Sequence, residues 1–296
     1  MLETAASALR MAVPVLLAGL GAIYTERSGV VNIGLEGMMI VGSFWGAVGA
    51  LYYGPLAGMA AGIAAGAALA LVHAVVSVTF RVDQIVSGVA LNILAYGATR
   101  FASIAMFKMA TTTPAVPRLG SLNLPGVTAL SPLVLVALLL VPITAWVLNR
   151  TVFGLRLRSA GENPLAADSL GVNVLGVKYA GVLISGAFAG LAGTYLAVEH
   201  VGQYVEGMTQ GRGFIALAAM IFGNWTPAGT LGASLLFGLA EALSLRAVGG
   251  TGEAALVPYQ FIKMIPYLLT LAVLAGIVRR ATPPSSVGVP YRREEA

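Results

Sequence analysis

The chain has 296 residues, of which 58% are hydrophobic and only 10% charged, and its formal net charge is +5. Soluble domains carry about a quarter charged residues, so this composition excludes an ordinary soluble domain and describes a chain that crosses a bilayer many times. The positive surplus is scattered and forms no basic stripe, which removes nucleic acid as a partner.

A spanning helix needs about 20 mostly apolar residues. On that rule the first run is Ala8–Tyr24, with Glu3 ahead of it, and it reads as a retained helix and not a cleaved signal. Asn32–Tyr53 follows, Gly54-Pro55 turns the chain into Leu56–Phe80, and Arg81 and Asp83 precede Gln84–Phe107. A polar, proline-rich connector, Lys108–Thr128, leads to Leu130–Leu148. After the charged loop Asn149–Gly171 come Val172–Val198, a short run Phe214–Phe222, Gly229–Leu245 and Tyr259–Val278. The tail Arg279–Ala296 has too few apolar residues to pack and is expected to be mobile. The expected fold is therefore all-α, a polytopic transmembrane helix bundle of about 8–10 spans, some broken or re-entrant. Residues 1–278 make the membrane domain, and 279–296 a tail outside the membrane.

The loop Asn149–Gly171 is a polar loop between apolar runs, and its Arg150, Arg156 and Arg158 place it on the cytoplasmic face. Within it, Gly161-Glu162-Asn163-Pro164 reads as a turn into a short helix, Leu165–Leu170. Asn163 is the N-cap, Pro164 the first helical residue and Gly171 the stop. Such a helix suits docking of a soluble partner, or else is a solvated connector. With this loop and the tail inside, ten of the seventeen Lys and Arg fall inside, and nine alternating runs put the N-terminus outside.

Small residues recur at helical spacing. Gly58, Gly62 and Gly66 line one face of the third run, with Ala57, Ala61 and Ala65 beside them, and Gly42-Gly46-Ala50 and Gly186-Gly190-Thr194 repeat the pattern. In lipid such stripes let helix backbones approach closely. Two breaks interrupt the apolar pattern, Glu26-Arg27-Ser28-Gly29 and Gly223-Asn224-Trp225-Thr226-Pro227. Both lead into a glycine-containing helix, which suggests an internal repeat and points to a transport pathway.

Ionisable and amide groups inside spans are costly, so each is a site candidate. Asn32 and Glu36 lie one turn apart and are expected on one helical face, where Glu36 serves either capping and interhelical bonding or substrate contact. Asn92 in the fourth run and Asn224 with Trp225 at the second break complete the set, an amide and an aromatic being able to bond and stack a base or sugar. Glu241 is expected to pair with Arg246 on its own helix. His73 is expected to be an interhelical hydrogen-bond donor. Cysteine is absent, and His73 and His200 lie far apart, so no disulfide and no metal are expected. No phosphate-binding GxxxxGK[ST] loop and no nucleophile elbow occurs, so no catalytic residues are assigned and the chain is not expected to be an enzyme.

Two stretches carry a family resemblance. Glu26–Met39, ERSGVVNIGLEGMM, resembles the signature of bacterial ABC-transporter permeases for nucleosides, a branch of a family that also serves simple sugars and branched-chain amino acids. Gly161–Gly171, GENPLAADSLG, resembles the cytoplasmic coupling segment of that family, and the likeness extends through Gly213–Gly238. Asp168-Ser169 stands where many relatives have a basic residue. The resemblance implies a permease subunit of an ATP-driven nucleoside importer in the bacterial cytoplasmic membrane, with its C-terminus cytoplasmic. ATPase subunits carrying ATP and Mg would dock on Gly161, Glu162, Asn163, Pro164, Ala166, Ala167 and Gly171. A second permease or a copy of this chain would complete the pathway, and an extracytoplasmic substrate-binding lipoprotein would deliver solute. A ribose-like sugar is the alternative substrate, and an ion-coupled secondary transporter using Glu36 or Glu241 the alternative class.

Overall fold

The structure, a computed structural model, describes residues 2–120, 122–124, 127–249, 264, 268 and 281–292. Ten helices and one short ribbon are described: α1 Leu2–Arg27, α2 Leu35–Tyr53, α3 Pro55–Ala74, α4 Gln84–Phe107, β1 Leu122–Leu124, β2 Val127–Leu130, α5 Pro132–Arg150, α6 Val152–Glu162, α7 Pro164–Ser169, α8 Val174–Thr194, α9 Arg212–Phe222 and α10 Pro227–Gly249. α3 and α8 each run on into a wider π turn, Val75–Thr79 and Tyr195–Val201. Seven of the described helices are long and apolar enough to cross a membrane, and the chain is a multi-pass membrane protein. The expected run Tyr259–Val278 lies outside the described residues.

Local chemistry sets most helix starts. Asp83 Oδ1 accepts from the Ile85 and Val86 amides at 2.9 Å and caps α4. Ser131, Thr151, Asn163 and Asn173 do the same for α5, α6, α7 and α8, each satisfying an amide that has no partner within its own helix. Only α2 and α9 among the broken runs begin at a glycine, Gly34 and Gly211, with no side-chain cap from their own segment. Both start inside the bundle, and their amides must find partners elsewhere.

The centre is built from α1, α2 and α8, each about three-quarters buried, with α3, α4, α5 and α10 around them exposing apolar faces such as Ile93, Phe101, Leu139 and Trp146. The small-residue stripes meet one another. A Cβ added at Gly42 would lie 2.5 Å from the Gly190 backbone, and one at Gly66 would lie 2.3 Å from the Gly186 carbonyl. The α2–α8 and α3–α8 backbones are therefore in contact, as small stripes in lipid require. Ala61 of the second stripe lies against Gly49 of α2.

Four expectations are corrected. The first break begins later than its charges suggest: Glu26 and Arg27 finish α1, and residues 28–34 are the non-helical stretch, so Asn32 precedes α2 and does not share a helical face with Glu36. The polar loop after α5 contains an eleven-residue helix, α6, which buries Gly154, Leu157, Ala160 and Gly161 at three- and four-residue spacing and turns Arg156 outward. Glu241 pairs with Arg212 of α9, while Arg246 bonds Thr4 of α1. Segment 281–292 is seated on the bundle: Ser286 donates from its amide to the Gly161 carbonyl at 2.9 Å, and Tyr291 is buried with Ala160, Ala167 and Val174. A short chain with little apolar bulk docks because its backbone bonds and one aromatic ring find partners on a ready-made surface.

Candidate functional site

The stretch Gly29–Gly34 begins as a turn, the Gly29 and Val30 amides donating to the Glu26 and Thr25 carbonyls of α1 at 2.9 and 3.2 Å, but the backbone of Val31–Ile33 is not satisfied from within the stretch. Neighbouring helices satisfy it. The Val31 amide donates to Gln84 Oε1 at 2.6 Å, and the Val31 carbonyl accepts from His73 Nε2 at 3.0 Å. Because a carbonyl only accepts, that nitrogen carries the proton, and Nδ1 is left to accept from the Ser87 hydroxyl 3.0 Å away. The Ile33 carbonyl takes Asn92 Nδ2 at 3.0 Å, and Asn32 Nδ2 reaches Ser185 Oγ at 3.1 Å. Thus α3, α4 and α8 each hold one edge of the break. His73 fills the bonding role expected of it.

The two half-helices are capped in trans. Asn92 Oδ1 accepts from the Gly37 amide of α2 at 2.7 Å. Glu36, in the first turn of α2, accepts at Oε1 from Thr209 Oγ1 and the Gly211 amide, at 2.6 and 2.9 Å, and at Oε2 from the Gly213 amide at 2.7 Å. A carboxylate at a helix N-terminus meets both free amides and the positive end of the helix dipole. Gly213 permits the approach, since a Cβ there would lie 2.5 Å from the Glu36 nitrogen. Glu36 and Asn92 are buried, and each of their polar atoms is engaged. Asn32 is fully buried, and its Oδ1 has no partner.

The other end of α9 returns to the first break. Asn224 and Trp225 both have positive φ, 51° and 52°. Trp225 Nε1 donates to Glu26 Oε2 at 2.6 Å, and the Trp225 carbonyl accepts from Arg27 Nε and Nη2 at 3.3 and 3.2 Å. Residues 26–36 therefore bracket α9 at both ends, with Glu26 and Arg27 below and Glu36 above. Of the five nominated pathway residues, Asn32, Glu36 and Asn92 cluster at the start of α2. Asn224 and Trp225 lie one α9 length away, about 16 Å at 1.5 Å per residue. Glu26, Arg27, Gln84, Ser185 and Thr209 were not nominated. Their signal was position, since Glu26 and Arg27 flank one break and Thr209 precedes the run after the other.

The coupling segment has the expected local form. Asn163 Oδ1 accepts from the Ala166 amide at 3.0 Å, Pro164 opens α7, and Gly171 stops it with φ 81°. Glu162, Leu165, Ala166 and Leu170 face outward, Leu170 being 85% exposed, whereas Gly161 and Ala167 turn inward. Gly161 is pressed on α1, where a Cβ would lie 2.3 Å from the Arg27 carbonyl. Contact thus runs from Gly161, at the end of α6 just before α7, to Arg27, and from Arg27 to Trp225.

At the far end a cavity of about 310 Å³ is lined by Arg10, Arg118, Ser131, Tyr195, Glu199 and His200, among others, and by none of the five nominated residues. No group of three or more His, Asp or Glu placed to hold a metal occurs among the described residues.

Residues 4–274 match the family described as branched-chain amino acid transport system / permease component. The guanosine ABC transporter permease protein NupQ of Bacillus subtilis (strain 168) is 41% identical, over 95% of this chain and 93% of its own length. The nucleoside ABC transporter permease protein NupC of Lactococcus lactis subsp. cremoris is 38% identical, over 97% of this chain and 95% of its own length. The putative glucose ABC transporter permease protein TsgC13 of Haloferax volcanii is also 38% identical, over 97% and 96%. No solved structure matches the chain.

Proposed function

The chain belongs to the branched-chain amino acid transport system / permease component family, and we propose that it is the permease subunit of an ATP-driven ABC importer that moves nucleosides across the bacterial cytoplasmic membrane. The observation that carries the substrate class is the near full-length identity with a guanosine permease and a nucleoside permease. ATPase subunits, which hold ATP and Mg, dock on the outward face of α7 around Glu162, Asn163, Pro164, Ala166 and Gly171. The pathway forms with a second permease or a copy of this chain, and an extracytoplasmic lipoprotein delivers the nucleoside. The α7 end and the C-terminus are cytoplasmic.

In this reading coupling is mechanical. Closure of the ATPases displaces α7, and the close Gly161–Arg27 contact passes the displacement to α1 and the Trp225 joint. Since α9 is bonded to the start of α2 through Glu36, the half-helices shift together between two packings. Asn32, Glu36 and Asn92 sit where that shift opens the bundle. The ion-coupled alternative is not favoured, since the relatives are ABC transporter permeases, and the Glu36 and Glu241 carboxylates serve as helix-joining groups, to α9 and to Arg212.

The test is uptake of labelled guanosine into vesicles holding this chain with its co-purified ATPase, with glucose as competitor. ATP-dependent uptake that glucose leaves unchanged is expected. Uptake driven by a proton gradient without any ATPase overturns the permease reading, and competition by glucose replaces the substrate class. Ala166→Arg, on the exposed face of α7, is expected to leave the bundle folded and to release the ATPase on purification.

A further inference from the structure

Segment 281–292 touches the end of α6, α7, the first break and the Asn224 joint. Thr282 donates from its amide and its hydroxyl to Asn224 Oδ1, at 3.0 and 3.3 Å. Ser285 donates from its amide and hydroxyl to Glu162 Oε2, at 3.3 and 2.9 Å. Ser286 gives both donors to the Gly161 carbonyl, at 2.9 and 2.7 Å. Tyr291 then buries its ring against Ala160 of α6, Ala167 of α7 and Val174 of α8. Its middle lies over the first break, the Ser286 carbonyl being 3.3 Å from where a Gly29 Cβ would stand.

We propose that residues 281–292 are a positioning strap of the coupling site, tying α7 directly to the Asn224–Trp225 joint with Asn224, Ser285, Ser286 and Tyr291 as its anchors. The contact from Gly161, just before α7, to Arg27 and Trp225 is a single file of van der Waals and carbonyl contacts, which a small slip would interrupt. The strap adds a second connection in parallel. Its donors reach Gly161 and Glu162, the end of α6 just before α7, on one side and Asn224 on the other, only three residues of chain lying between Thr282 and Ser286. So short a span has little slack, and it holds the distance between α7 and the joint while both move. Loss of the strap leaves α7 on the surface to receive the ATPase, but displacement of α7 then reaches α9 incompletely.

This inference rests on the proposed ATP-driven function, and the experiment separates the two. The full complex is reconstituted in vesicles, and guanosine uptake and ATP hydrolysis are measured together. The chain has no cysteine, so Val289→Cys, at an exposed position on the strap, takes one spin label that reports whether the strap is seated. Tyr291→Ala is expected to free the label, to retain the ATPase on purification, and to lower uptake per ATP hydrolysed by about threefold or more. Asn224→Gly is the second variant: it suits the positive φ and removes the side chain that carries the acceptor. It is expected to lower the same ratio, and Asn224→Asp, which keeps an acceptor oxygen, to restore it. A merely structural role would lower uptake and hydrolysis in proportion. A freely moving label in the unaltered chain, or an unchanged ratio with the label freed, overturns the strap. Failure of the unaltered chain to retain any ATPase overturns the underlying reading instead.

Discussion

The two breaks in the helical pattern open on similar turns and then differ in length and in what holds them. In residues 28–34 the Ser28, Gly29 and Val30 amides turn back onto the Thr25 and Glu26 carbonyls of α1, and Val31–Ile33 are then held by Gln84, His73, Asn92 and, through Asn32, Ser185. Residues 223–226 close on themselves: the Asn224 amide bonds the Ile221 carbonyl at 2.9 Å, Trp225 that of Met220 at 3.1 Å, and Thr226 that of Gly223 at 3.1 Å. The Val31–Ile33 portion of the first break is held by its neighbours, so it changes when α3, α4 or α8 shifts. The second is a prefabricated joint that carries α9 and α10 together and takes instructions from Glu26, Arg27 and Thr282. One is suited to open a path and the other to transmit force.

That contrast can be broken where the two meet. Gly213→Ala drives a methyl into the Glu36 backbone and separates α9 from α2. A loss of about 3 kcal/mol is expected, read as failure to run as one peak on size exclusion in mild detergent. Glu36→Gln keeps the shape but offers a single carbonyl oxygen where a carboxylate accepts three bonds. It should cost about 2 kcal/mol and lower the apparent melting temperature and uptake while the ATPase stays bound; unchanged transport and stability would mean that α9 does not depend on this cap. Trp225→Phe retains the packing and removes the donor to Glu26, so about 1 kcal/mol is expected in the same melting assay. Asn224→Gly should lie within about 0.5 kcal/mol of neutral, since relief at positive φ offsets an exposed hydrogen bond. If Asn224→Gly proved more damaging to stability than Trp225→Phe, the second break would not be self-closing.

The parts of the site that were legible were those made by residues close in sequence. Asn163, Pro164 and Gly171 announce α7 because a cap, a first-turn proline and a left-handed stop act on amides within three residues. The glycine stripes were legible for the same reason, as period alone selects a face. Asn32 was placed on a helix because Val30, Val31 and Ile33 are as apolar as any helix residue. The backbone of Val31–Ile33 stays out of the helix where His73, Gln84 and Asn92 arrive from elsewhere to serve it. α6 was hidden by its arginines, although Gly154, Leu157 and Ala160 keep a helical spacing that a moment-by-moment count of charge overlooks.

By itself the sequence determined the class of solvent, the run lengths, the capped helix starts and the close-packing faces, all of which follow from transfer of apolar groups and from bonds within one turn. Only the tertiary structure decided that Glu36 caps α9, that Glu241 meets Arg212, that Trp225 answers Glu26 and Arg27, and that segment 281–292 is seated. Each of these joins groups far apart in the chain. In a membrane interior a polar group must find a partner, but the sequence carries no distance between residues so far apart, so which partner it finds is settled by the packing of the helices.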